Sequence, residues 1–109
     1  MTEYTVGQVN SYIKNMMATD PFLGNIYVKG EASNVKYHSS GHIYFSIKDE
    51  TGAVACVMFR SNAMTGLGFR MENGQQIIAH GSINVYERDG RYQLYVQDIR
   101  LAGTGSLYE

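Results

Sequence analysis

The sequence has 109 residues, a length that within the usual range of about 100 to 200 residues per domain excludes a second independent core. Nine Lys and Arg residues against ten Asp and Glu residues give a formal charge of −1, which excludes a strongly basic arm and an acidic disordered tail. The single cysteine excludes an internal disulfide and a zinc site built on paired thiolates. Because there is neither an apolar run of roughly 18 residues nor a signal-peptide core, we expect a soluble intracellular protein.

The first predicted element is an amphipathic helix. Its apolar residues recur at helical spacing along one face: Val6, Val9, Ile13, Met16 and Met17. Thr5 and Gln8 have the spacing of a capping box at its start, and the pair Asp20–Pro21 ends it because a residue before proline disfavours helical geometry. We expect the apolar stripe to pack against a sheet.

After Pro21 the apolar pattern changes to a period of two, interrupted by turn residues, which is typical of a small antiparallel sheet or barrel. The predicted strands run from about Asn25 to Tyr37, His42 to Lys48, Ala53 to Arg60, Gln75 to Glu87 and Arg91 to Leu101. Asp89-Gly90 is a strong signal for a two-residue hairpin. Between the third and fourth strands, Ser61 could cap a short helical or irregular segment.

This order of elements predicts a mainly β protein, a five-stranded OB-fold barrel preceded by an α-helix. Gly30 and Gly81 lie inside long strands, at positions where barrel strands must bend sharply. A Greek-key sandwich is the competing fold, but the chain offers too few strands for the usual seven. We expect residues 1–102 to form the domain, and residues 103–109 to begin a linker to a further domain of a longer chain.

Alternation along the strands separates core positions from outward ones. The predicted core set is Ile43, Phe45, Ile47, Val54, Cys56, Met58, Ile77, Ala79, Ile83, Val85, Leu94 and Val96. The predicted outward set includes His42, Tyr44, Ser46, Lys48, Ala55, Val57, Phe59, Tyr86, Gln93 and Tyr95. The outward set has more aromatic surface than a solvated face needs, so either a ligand stacks there or another domain packs there.

The leftover rings and cations fall where OB-folds bind nucleic acid, over strands two and three and the loops joining strands one to two and four to five. The candidate DNA-binding residues are Lys36, Tyr37, His42, Tyr44, Lys48, Phe59, Arg60, Tyr86, Arg91 and Tyr95. Aromatic rings stack on bases of any sequence, and Lys and Arg meet phosphates. Tyrosines also decorate exposed sheet faces without binding anything, because they pair well across strands.

No catalytic, metal or cofactor site is predicted. His38 and His42 have a zinc-like spacing, but the turn between them and the lack of a third nearby ligand argue against a metal. Cys56 has inward parity and is best interpreted as a small buried apolar residue. No nucleophile stands near a base, so this chain does not look like an enzyme by itself.

The stretch VKGEASNVKYHSSGHIYFSIKDETGAVACVMFR, Val28 to Arg60, resembles the amino-terminal domain of the large subunit of bacterial exodeoxyribonuclease VII. The opening TVGQVNSYIK, the segment NGQQIIAHGSINVYERDGRYQLYV and the closing AGTGSLYE agree with it. The resemblance implies an OB-fold that holds single-stranded DNA for a cytoplasmic nuclease, which degrades single strands from both ends into oligonucleotides. It also implies a catalytic domain and a helical region recruiting small subunits, all beyond Glu109.

Carried over by this resemblance, the DNA-facing positions are Phe59 and Arg60, with Tyr44 and Lys48 beside them. The alternative, of a different class, is that the aromatic face packs against the catalytic domain or a partner subunit and binds no DNA. That the chain itself hydrolyses DNA is a third hypothesis, which the absence of a catalytic constellation disfavours.

Overall fold

The computed structural model describes residues 1–102, in which two helices and five strands follow the predicted order. The elements are α1 (Val6–Ala18), β1 (Ile26–Tyr37), β2 (Ile43–Lys48), β3 (Ala53–Met58), α2 (Arg60–Gly66), β4 (Gln76–Tyr86) and β5 (Arg91–Leu101). The predicted linker, residues 103–109, lies outside the described residues. Neither helix within residues 1–102 is long and apolar enough to cross a membrane.

The strands form one closed barrel in the order β1-β2-β3-β5-β4. Neighbouring strands are antiparallel except β3 and β5, which pair in parallel, and β1 closes the barrel by pairing with β4. Closure removes the exposed sheet edges that an open sheet would leave. The barrel confirms the predicted OB-fold and excludes the sandwich.

The core lies inside the barrel and is built from alternate residues of the strands, as predicted. Ile43, Phe45 and Ile47 of β2 are buried, and Val54 of β3 is half-buried against them. Val57 and Gln93 line the outer face, as predicted, but only 2% and 9% of their surface is accessible. Val57 shares the outer face of the sheet with its partners Tyr44 and Tyr95, whose larger side chains flank it on both sides.

A bulge in β1 changes which side chains reach the outer face. Ser33 pairs with Ser46 but Lys36 pairs with Tyr44, so β1 contains one more residue than β2 between these two pairs. The extra residue is accommodated at Asn34, whose φ is +52°. Because a shift of one residue exchanges the faces of a strand, Val35 packs against the core and Lys36 faces outward beside Tyr44.

Helix α1 begins as predicted and packs differently from the prediction. The Gln8 N–H donates to Thr5 Oγ1 at 3.1 Å and the Thr5 N–H donates to Gln8 Oε1 at 2.8 Å, which is the capping box. None of the residues of α1, all of which the structure describes, is buried, and Val6 is 78% exposed. The expectation that the apolar stripe packs against the sheet holds for Met17 alone and was wrong for its other four residues, because the polar side of α1 faces the barrel instead.

Two predicted boundaries shift by one or two residues. Strand β3 ends at Met58, and Phe59 is the residue that precedes α2, so neither Phe59 nor Arg60 extends the strand and Ser61 is not the cap. The hairpin loop has four residues, 87–90, rather than two. Gly90 closes it with a φ of +64°, and its N–H donates to the Tyr86 carbonyl at 3.0 Å.

Gly81 lies at the bend predicted for it. The pairing of β4 with β5 shifts between His80 and Gly81, which marks a bulge. A side chain on Gly81 would overlap the Tyr95 carbonyl oxygen and approach the Val96 Cα to 3.0 Å. The close approach of these two backbones therefore depends on a residue without a Cβ atom.

Candidate nucleic-acid interface

One outer face of the barrel carries a groove of about 670 Å³, hereafter the groove. It is lined by Asn34, Lys36, Tyr44, Phe45, Ser46, Ala55, Cys56, Val57, Phe59, Tyr86, Asp89, Arg91, Gln93 and Tyr95. These residues come from β1, β2, β3, β5 and the β4–β5 loop (residues 87–90), together with Tyr86 at the end of β4 and Phe59 between β3 and α2. The groove thus lies where the strand pattern predicted it.

The floor of the groove follows from the pairing of the central strands. Tyr44, Val57 and Tyr95 lie side by side in one row across β2, β3 and β5. The neighbouring row holds the small residues Ser46 and Ala55, which are paired with each other. Large side chains beside small ones make this face concave.

Exposed aromatic rings stand on this floor. Phe59 is 43% exposed, and its ring centroid lies 6.1 Å from that of Tyr95 and 5.3 Å from that of His42. Tyr44 is also 43% exposed, with the His38 ring edge-on at 6.1 Å. Neighbouring rings support Phe59 and Tyr44 from the side and leave part of each ring accessible.

Cationic groups border the rings. The β1 bulge places Lys36 on the groove side, and Arg91, which follows the β4–β5 loop, lines the groove as well. Arg91 lies 3.7 Å from the Asp89 carboxylate, an exposed pair that leaves the guanidinium accessible to a second anion.

The side chain of Arg60 runs over the turn between β1 and β2. A Cβ atom on Gly41, whose φ is +94°, would lie 2.8 Å from the Arg60 Cγ and Cδ atoms. The backbone N–H of Arg60 donates to His42 Nδ1 at 3.0 Å. His42 therefore fixes the junction of β3 and α2, where Phe59 and Arg60 lie, rather than lining the groove itself.

Most of the predicted binding residues line the groove together: Lys36, Tyr44, Phe59, Tyr86, Arg91 and Tyr95. His42 and Arg60 adjoin it through Phe59. The other two predicted residues, Tyr37 and Lys48, do not line the groove.

Tyr37 follows Lys36 and therefore points away from the groove. Its hydroxyl accepts the Met71 N–H at 2.8 Å, and the Arg70 guanidinium lies 4.0 Å over its ring. These contacts hold the segment that connects α2 to β4.

Lys48 lies at the far end of β2, about 13 Å along the strand from Tyr44. Its Nζ atom is 3.9 Å from a Glu31 carboxylate oxygen, and the same hollow is lined by Asp49 and Glu50. The surroundings of Lys48 are therefore acidic, unlike those of Lys36.

Asn34, Asp89, Ser46 and Gln93 line the groove but are absent from the predicted set. Outward parity could have identified Ser46 and Gln93 from the sequence, because both lie on the same face as the tyrosines. Asn34 could not be found in this way, since it reaches the groove at the bulge.

Two side chains on or beside β2 and β3 have shifted pKa values. Burial raises the pKa of the Cys56 thiol to about 12, so it stays protonated and unreactive. The Thr51 N–H and hydroxyl and the Gly52 N–H lower the pKa of Asp49, which is thereby an ionised turn residue. Among residues 1–102, no three His, Cys, Asp or Glu side chains cluster closely enough to hold a metal ion. The groove offers stacking surfaces, amide and hydroxyl hydrogen bonds, and cations.

Residues 4–100 match a family model described as an OB-fold nucleic acid binding domain. The chain is 62% identical, over 97% of its length, to the Exodeoxyribonuclease 7 large subunit of Lachnoclostridium phytofermentans. It is 54% identical over 95% of its length to the protein of the same name from Clostridium botulinum strain Okra. In both cases it spans 26% of the relative, about a quarter of that protein.

The barrel is also similar to part of asparaginyl-tRNA synthetase from Pyrococcus horikoshii. One structure of that enzyme superimposes with a TM-score of 0.60 and 16% identity over 84% of this chain and 22% of the enzyme. The complex with asparaginyl-adenylate gives 0.58 and 18% over 76% of this chain and 20% of the enzyme. At this level of identity the similarity concerns the fold alone.

Proposed function

Because the chain belongs to the family of OB-fold nucleic acid binding domains, to which residues 4–100 match, we propose that its groove binds single-stranded DNA. The observation that carries this proposal is the pair of half-exposed rings, Tyr44 and Phe59, in one concave face that Lys36 and Arg91 also line. The rings would stack on bases and the cations would meet phosphates.

The shape of the groove favours unpaired bases over a duplex. A duplex is read by a helix or ribbon that projects into one of its grooves, whereas here the rings line a concavity. Only unstacked bases can reach those rings. Each stacked base contributes roughly 1–3 kcal/mol with little dependence on sequence, so we expect binding that tolerates any base order.

We further propose that this domain serves a larger nuclease. Its relatives are named Exodeoxyribonuclease 7 large subunit, and they extend well beyond the quarter that this chain spans. In that protein the domain would deliver single-stranded DNA for hydrolysis to oligonucleotides by a catalytic domain elsewhere in the subunit. Association with small subunits outside this domain and a cytoplasmic location belong to the same proposal.

The test is titration of the protein with a labelled oligo-dT, followed by fluorescence anisotropy and by backbone amide shifts. We expect Phe59→Ala to weaken binding about five- to 150-fold, which corresponds to the loss of one stacked base. Phe22→Ala is the matched control, because Phe22 is 70% exposed and does not line the groove. Amide shifts that cluster away from β2, β3 and the β4–β5 loop would contradict the proposal that the groove binds DNA.

An affinity of Phe59→Ala equal to that of the wild type would also contradict the proposal. If the protein bound no oligonucleotide and instead self-associated through the groove, the alternative of a protein-packing face would be supported.

A further inference from the structure

Glu87, the first residue of the β4–β5 loop, receives polar contacts from three side chains of α1. The Ser11 hydroxyl donates to Glu87 Oε2 at 2.9 Å, and Lys14 Nζ lies 3.2 Å from Oε1. The Asn10 side-chain amide donates to the Glu87 carbonyl at 3.1 Å. Both carboxylate oxygens and the main chain of one residue are therefore engaged by a helix more than 70 positions away in sequence.

The helix that makes these contacts is itself fixed to the barrel at its other end. Met17, in its last turn, packs against the core. Beyond the helix, the Leu23 carbonyl accepts the Ile83 N–H of β4 at 2.8 Å. Lys14 follows Asn10 by four residues and Ser11 by three, so a rigid helix presents the three side chains on one side. Helix α1 thus spans from the body of β4 to the loop at its end.

The loop that α1 holds forms one wall of the groove. Tyr86, Asp89 and Arg91, which flank or belong to the loop, line the groove, whereas Glu87 contacts α1. Tyr86, the last residue of β4, lines the groove, and the next residue in the chain, Glu87, contacts α1. The end of the hairpin is therefore in contact with α1 directly beside a residue of the groove wall.

We propose that Glu87 is a positioning residue, which ties the β4–β5 loop to α1 and thereby holds Tyr86 and Arg91 in the arrangement that binds single-stranded DNA. This inference rests on the proposed function. The Ser11 hydroxyl and the Lys14 ammonium lower the pKa of Glu87, so the carboxylate is ionised at neutral pH and both contacts are made. The Glu87 and Lys14 side chains are 41% and 45% exposed, so the contact orders a loop while adding little to overall stability.

The test compares Glu87→Ala with Glu50→Ala by oligo-dT anisotropy. Both variants remove one negative charge, and electrostatics alone would strengthen binding in both, because the ligand is an anion. Positioning predicts the opposite sign for Glu87: we expect Glu87→Ala to bind about three- to tenfold more weakly than wild type, and Glu50→Ala to bind as well as wild type or better. Glu87→Gln keeps an oxygen that can accept from Ser11, and we expect an intermediate affinity.

Amide hydrogen exchange gives a readout that a loss of global stability would not reproduce. In Glu87→Ala we expect faster exchange for residues 88–90 and unchanged exchange in β2 and β3. Ser11→Ala combined with Lys14→Ala removes the same contacts from the helix side and is expected to give the same loop exchange and no additive effect with Glu87→Ala. Equal or tighter binding by Glu87→Ala, with Phe59→Ala still weakened, would overturn the positioning role alone. A wild-type protein that binds no oligonucleotide would overturn both proposals.

Discussion

At the scale of single residues, two lysines on the outer face of the barrel have different surroundings. Lys36 and Lys48 carry the same charge and both face outward from strands that pair with each other. Lys36 lines the groove beside Tyr44, whereas Lys48 lies near Glu31 in a hollow also lined by Asp49 and Glu50. A phosphate near Lys48 would meet carboxylates as well as an ammonium group, so under the proposed function we expect Lys36, and not Lys48, to contact DNA.

We therefore expect Lys36→Ala to weaken oligo-dT binding severalfold. We also expect the slope of log affinity against log salt concentration to become shallower by the amount that one phosphate contact contributes. Lys48→Ala, which changes the net charge equally, should leave affinity within about twofold of wild type. Anisotropy titrations of both variants at two salt concentrations measure this difference. Equal losses in the two variants would show that affinity follows net charge rather than the position of the lysine.

At the scale of elements, the β4–β5 hairpin connects the shape of the barrel to the groove. The bulge at Gly81 lets β4 approach the backbone of Tyr95 and Val96, and Tyr95 belongs to the groove floor. The same hairpin ends in the loop that α1 holds through Glu87. A change at the bulge should therefore affect both folding and binding.

We expect Gly81→Ala to lower the free energy of unfolding by about 1–3 kcal/mol, because the added methyl group would overlap the Tyr95 carbonyl oxygen. Gly52→Ala is the control, since a Cβ atom there meets nothing within 4 Å. Urea denaturation of the three proteins measures the difference. Equal stability of the two variants would mean that the strands can separate at the bulge without cost.

At the scale of the whole molecule, a formal charge of −1 leaves little long-range attraction for DNA. Attraction must come from local groups, and Lys36, Arg60 and Arg91 are the cations that line or adjoin the groove. If the groove binds single-stranded DNA as proposed, we expect stacking to contribute a large share of the affinity and electrostatics a modest one.

With about three phosphate contacts, we expect the logarithm of the affinity to fall with the logarithm of salt concentration at a slope of about −2 for a single strand. Anisotropy titrations from low to moderate salt give this slope directly. A slope near zero would argue against phosphate contacts. A slope several times steeper would imply cations beyond the groove.

Much of this arrangement could be predicted from the sequence, because local chemistry determines it. The capping box of α1 needs only Thr5 and Gln8, and alternation in β2 assigns Tyr44 to the outer face. The bulge at Asn34 could not be predicted, since nothing in the local pattern marks the extra residue that brings Lys36 to the groove and turns Tyr37 away.

The orientation of the apolar stripe of α1 could not be predicted from periodicity either. An amphipathic pattern identifies an apolar side without identifying what that side contacts. Here Glu87, 73 residues from Lys14, pairs with the polar side of the helix, and a contact at such a separation in sequence leaves no periodic signal.

The place of β5 in the barrel has a consequence for how the protein folds. Strand β5, the last strand within residues 1–102, lies between β3 and β4, pairing in parallel with β3 and antiparallel with β4. During synthesis, β1 to β4 can emerge and pair, but the barrel stays open until the chain has been made as far as Leu101. Closure then joins segments distant in sequence, an entropically costly step that is typical of slow folding. Tyr95 and Gln93 reach the groove only at that step, so a ribosome-bound intermediate would lack the β5 part of the groove.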